Sequence, residues 1–193
     1  NTEAMSILSE IASRLGYLED AEFLLENAVN FEPNNPELRK KYLIILRKKQ
    51  KFSKAMIQAE YLCKTFPKNL SYKAQMAIEI MQNGDYEKAI EIFDSILKKA
   101  PNDPNTLTSK GHALKTFGNN IDAIKSYKLA HKAKPDHGEA YFSLANLKTY
   151  SFKTSEIALM KNQLENVNLL SKDRVYFHFA LAYALEKEGE YEE

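Results

Sequence analysis

Pro33, Pro67, Pro101 and Pro135 fall 34 residues apart, and two further columns keep the same step. Ala21, Ala55, Ala89 and Ala123 place a small residue in each interval, and the turn column reads Gly16, Gln50, Gly84, Gly118. A period of this length closed by proline specifies stacked helix-turn-helix pairs, each of which buries its apolar face only against its neighbours.

Counting back from each proline gives units 2–35, 36–69, 70–103 and 104–137. In the third, the spacing predicts a first helix from about Ser71 to Gln82 and a break at Asn83-Gly84-Asp85, where glycine tolerates a positive φ. The second helix, from about Tyr86 to Lys99, carries Ala89, Ile90, Phe93, Ile96 and Leu97 at helical spacing. Between units stand Pro33-Asn34-Asn35-Pro36 and Pro101-Asn102-Asp103-Pro104. One proline stops a helix and the other suits the first turn of the next, with Asn35 and Asp103 as caps. The small columns imply close helix approach, Ala77 to Ala89 and Gly111 to Ala123.

After Pro135 the pattern restarts at Gly138-Glu139-Ala140-Tyr141 but loses its turn glycine and central alanine, which marks a degenerate unit over 138–174. Thr154 or Ser155 is the expected cap of its second helix, with Ile157, Met160, Leu164 and Val167 as the apolar stripe. Ser171 is the expected cap of the next. Ala182 and Gly189-Glu190-Tyr191 restore the repeat three residues late, in a truncated unit 175–193. Phe177, Leu181 and Leu185 then form a stripe awaiting a partner, an open face that could drive self-association; the chain reads as a fragment of a longer one.

With 44% hydrophobic and 27% charged residues and a net charge of +1, the composition does not favour nucleic acid as partner. The apolar runs are too short to span a membrane. Asn1 to Ser6 lack the features of a secretory signal, and a single cysteine, Cys63, gives no internal disulfide, which together point to the cytoplasm. Cys63 reads as a small buried hydrophobe.

The columns together resemble the tetratricopeptide repeat (TPR) family over nearly the whole chain. The resemblance implies an all-α fold, a right-handed superhelix of stacked antiparallel helix pairs forming one solenoid over 1–193, whose first helices line a concave groove for a peptide or partner domain. Residues 135–152, with Asp173-Arg174 and Phe177 to Leu181, are similar to the end of the repeat region of bacterial TPR-sulfotransferase proteins. That implies an alternative role as the substrate-organising part of a sulfotransferase. No glycine-rich cofactor loop of that family is matched, so no cofactor and no catalytic residue is carried over, and this stretch is read as non-enzymatic.

By repeat register the groove receives Glu3, Ser6 and Glu10, then Lys40, Ile44 and Arg47, then Ala74, Ile78 and Met81. Further along come Thr108, His112 and Lys115, then Phe142, Asn146 and Thr149, then Phe179, Tyr183 and Glu186. Contact with a protein or peptide is expected at Lys40, Arg47, Ile78, His112, Phe142, Asn146, Phe179 and Tyr183. The aromatic residues suit an apolar anchor, or they fill the narrowing between irregular units. A carboxylate clamp is disfavoured, because Phe142 stands where a lysine is needed and Ile44 follows Lys40. Unit 36–69 holds ten basic and two acidic residues, unit 2–35 one basic and seven acidic. The two blocks either attract each other, across the stack or between molecules, or meet an anionic partner. His112, His131, His137 and His178 lack metal-site spacing and read as surface histidines. Neither a Ser-His-Asp nor a Cys-His arrangement is indicated.

Overall fold

The computed structural model describes residues 1–188, which form eleven α-helices with no strand among them. Two compact units divide the chain, the first running Asn1–Lys88 and the second starting at Ala89, inside helix α6 (Tyr86–Leu97).

The first unit comprises α1 (Thr2–Arg14), α2 (Leu18–Phe31), α3 (Pro36–Lys48), α4 (Phe52–Thr65) and α5 (Leu70–Gln82). Asn35 and Asn69 accept backbone N–H bonds from the turns they open, and Pro36 occupies the first turn of α3. Gly16 and Gly84 close their helices at φ of 86° and 90°. Gln50 does the same at 57° with a side chain attached, a conformation that strains an L-residue. Leu25, Leu43, Leu46 and Leu62 are fully buried around Ala21, Ala55 and Ala59, whose missing bulk lets the helices close up.

The opposite charges of the first two repeats meet inside this unit. Lys49 pairs with Glu19 and Glu22, Lys51 with Glu22 at 2.7 Å, and Lys54 with Glu26 at 3.5 Å. Burial works against ionisation of Glu22, yet hydrogen bonds from Lys49 and Lys51 outweigh it and hold its carboxyl below the ordinary range. Arg39 lies over the Tyr61 ring at 3.8 Å and donates to Pro33 O at 2.6 Å. Much of the basic run therefore serves the stack itself.

The second unit continues from α6 through α7 (Pro104–Thr116), α8 (Asn120–Ala133), α9 (Gly138–Ala145), α10 (Thr154–Glu165) and α11 (Ser171–Glu188). Asp103 caps α7 by accepting from Thr106 N. Gly111 is buried, and a Cβ there would stand 2.3 Å from Cε1 of Tyr127. Its small size makes room for that ring.

Helix α9 has 8 residues where α7 has 13. The chain turns out at Lys148, with φ 57°, and runs without helix to α10, which begins 34 residues after α8. The lost turn is thus absorbed without loss of register. Its replacement is strapped down: Tyr183 Oη donates to Lys148 O at 2.8 Å, Lys187 Nζ to Tyr150 O at 3.2 Å, and Tyr150 Oη to Glu156 Oε1 at 2.8 Å. Neither Thr154 nor Ser155 caps α10. Thr154 is its first helical residue, and the Glu156 carboxylate reaches back to accept Lys153 N–H at 2.9 Å.

Ser171 likewise lies inside α11 instead of capping it, and Asp173 in its first turn accepts Gly138 N–H at 2.9 Å. A Cβ on Gly138 would come 2.6 Å from Asp173 O, so this junction requires glycine. The stripe expected to be open is largely covered. Phe177 and Leu185 are buried in one core with Tyr141, Ile157, Met160 and Leu169, because α10 and the segment after it fold over them. Ala180 and Ala184 are the small buried residues of α11 among those described, and Ala182 is exposed. Val167, placed on the α10 stripe, lies beyond its end and is exposed. Gly189-Glu190-Tyr191 lie outside the described residues.

Candidate functional site

In the first unit two lysines of α3 reach hydroxyl groups of α1. Lys41 Nζ donates to Ser6 Oγ at 2.7 Å and Lys48 Nζ to Ser13 Oγ at 2.8 Å. Both lysines border a cleft of about 360 Å³ with Ser9, Ile44 and the Glu10–Arg14 pair. Hydroxyl groups, unlike carboxylates, leave these ammonium charges uncompensated. Lys40 is half-buried and makes no ion pair or hydrogen bond among the described residues, and Ile78 is half-buried.

Arg47 is committed within the protein. Its Nε donates to Glu79 Oε1 at 2.7 Å and its Nη2 to Gln75 Oε1 at 2.8 Å. Glu79 is fully buried and its Oε2 has no hydrogen-bond partner among the described residues. Burial pushes its carboxyl up despite Arg47. Arg47 neutralises a buried acid before it can greet a partner.

In the second unit the corresponding helices are α7, α9 and α11. Phe142 packs with Tyr176 at 4.9 Å and Phe179 at 4.8 Å between ring centroids. Phe179 keeps 47% of its surface exposed, while Phe142 and Tyr176 are half-buried, so the cluster has a buried base and an open edge. Tyr176 was missed by repeat register; its place one helical turn before Phe179 on α11 was the available signal. Tyr183 spends its hydroxyl on the strapped segment, and Asn146 offers its carbonyl to Lys115 Nζ at 3.4 Å.

The histidines are not accidental surface residues, apart from exposed His178. His112 Nδ1 meets Tyr127 Oη at 3.0 Å, and its Nε2 lies 3.5 Å from Glu139 Oε1. That bond from His112, opposed by burial and helped by Lys172, holds the Glu139 carboxyl at about 2. His137 is buried with Nε2 2.9 Å from Thr108 Oγ1, and His131 packs on the Tyr141 ring at 4.6 Å. Burial lowers the pKa of both. Cys63 is half-buried, donates to Tyr72 O at 3.3 Å, and burial raises its thiol, which suits packing over nucleophilic chemistry. Among the described residues, no cluster of His, Cys, Asp and Glu could hold a metal ion, and no helix is long and apolar enough to cross a membrane.

A thermophilic TPR protein of Thermus thermophilus superposes with a TM-score of 0.73 at 20% identity, over 94% of this chain and 99% of that one. The fold is that of the tetratricopeptide repeat. MamA from Desulfovibrio magneticus RS-1 aligns over 100% of this chain and 97% of its own, at TM-score 0.61 and 14% identity. A TPR protein from Parabacteroides merdae ATCC 43184 aligns over 98% and 77%, at 0.57 and 18%. No protein-family model and no curated protein matches the chain in sequence. Residues 138–177 have structural work here: Gly138 N–H donates to Asp173 Oδ1 at 2.9 Å, and Tyr141 packs on Phe177 at 5.1 Å.

Proposed function

We propose that this chain is a protein-interaction scaffold, and that in its second unit the Phe142–Tyr176–Phe179 cluster anchors an apolar side chain of a peptide or partner domain. The half-exposed Phe179 ring carries this reading: it rests on two partly covered rings and still presents an open edge, the arrangement in which aromatic residues contribute most to binding. The cluster is held by helix packing, so little order is lost when a partner docks. In the first unit Lys41 and Lys48, uncompensated by carboxylates, favour acidic groups of the ligand.

Peptides selected from a displayed random library against the whole chain test this. They should move the ring signals of Phe142, Tyr176 and Phe179 in NMR spectra and bind about tenfold or more weaker to Phe179→Ala. Selected peptides that ignore Phe179→Ala would refute the assignment. Because Phe179 is so exposed, its truncation should leave the circular dichroism unchanged.

A further inference from the structure

A second recognition surface lies on the second helices, apart from the cluster above. Lys125, Lys128, Leu129 and Lys132 sit at helical spacing on one face of α8, and with Leu159 of α10 they border a depression of about 680 Å³. That volume is within the range of ligand pockets. Leu129 and Leu159 are 53% and 43% exposed there.

The charges around it do not cancel. Asp122 takes Lys125 at 2.8 Å. Lys128 has only the Tyr150 ring, 5.9 Å away, and Lys132 makes no hydrogen bond or ion pair among the described residues. Glu156, behind the lining residue His131, is buried and occupied by Tyr150, the Lys153 N–H and His131. Two further lining residues are His131, whose Nε2 faces Glu156 Oε1 at 3.8 Å, and Tyr141, whose Oη makes no hydrogen bond among the described residues.

We infer that this depression docks an acidic peptide segment carrying one bulky apolar side chain, the side chain entering between Leu129 and Leu159 and the acids meeting Lys128 and Lys132. An apolar floor with a one-sided cationic rim selects for both features together. A lipid surface would call for a wide basic face, and here the lysines line a single helix.

The test titrates the whole chain with a fluorescein-labelled synthetic peptide that has a central phenylalanine flanked by glutamates. Saturable binding is expected, with the largest amide shifts in α8 and α10. Leu129→Glu and the double variant Lys128→Glu/Lys132→Glu should each weaken it about tenfold or more, and Lys98→Glu should not. Replacing the peptide's phenylalanine by alanine should weaken it similarly. Absence of saturable binding, shifts confined to α9 and α11, indifference to Leu129→Glu, or tighter binding of sodium octanoate or phosphatidylserine vesicles would each overturn the inference. Leu129 and Lys132 are exposed and Lys128 is half-buried, so the variants are expected to fold, which unchanged circular dichroism would verify.

Discussion

Arg47 shows how a residue's neighbours decide its role. Replacing it by methionine leaves the Glu79 carboxyl buried and without its partner, and should cost about 3–5 kcal/mol in urea unfolding. Lys40→Met, two turns earlier on the same helix, should change stability by no more than about 0.5 kcal/mol. Equal effects would mean that the pair contributes nothing. Gly111→Ala should cost about 1–3 kcal/mol, because the new methyl group must displace the Tyr127 ring. Strain runs the other way at Lys148: glycine there relieves a left-handed side chain, and Lys148→Gly should raise the melting temperature, by an amount worth about 1 kcal/mol.

Helices α8, α9 and α11 pack around the buried histidines, which gives this part of the stack a pH dependence. His131 and His137 have folded pKa values below the ordinary 6.5. The unfolded chain takes up these protons first, so the stabilisation is complete above about pH 6.5 and drains away as pH falls toward the lower folded values. Glu139, held at about 2 against 4.5, extends the loss below pH 4.5. Urea midpoints measured from pH 7.5 to 5 should therefore fall, and fall less in His137→Gln. A flat profile over that range would contradict the burial assigned to these rings. In α2 to α4, where Lys49 and Lys51 close on Glu22, the relevant variable is the paired carboxylate, which is lost only as pH drops below the ordinary glutamate range.

At the scale of the molecule, the first unit's core and the second unit's core are built from separate sets of residues. Leu46→Ala should cost about 2–5 kcal/mol locally. In a stack that interacts through nearest neighbours, the loss of amide-exchange protection should concentrate in residues 1–88 and fade through α7 to α11. Uniform loss along the chain would show cooperativity of a single globule instead. The sequence by itself determined the helix pairs, their caps at Asn35 and Asp103 and their glycine turns, because those depend on residues close along the chain that recur every 34 positions. It left open whether the acidic and basic repeats meet each other or an anionic partner, and the structure pairs Lys49, Lys51 and Lys54 with the acids of α2. Only the tertiary structure decided that Arg47 serves Glu79, that Tyr176 completes the ring cluster with Phe142 and Phe179, and that Phe177 and Leu185 are covered. Each of these rests on side chains from neighbouring repeats, far apart along the chain; the last two arise where the repeat is irregular, and there periodicity no longer says which face of a helix its neighbours leave open.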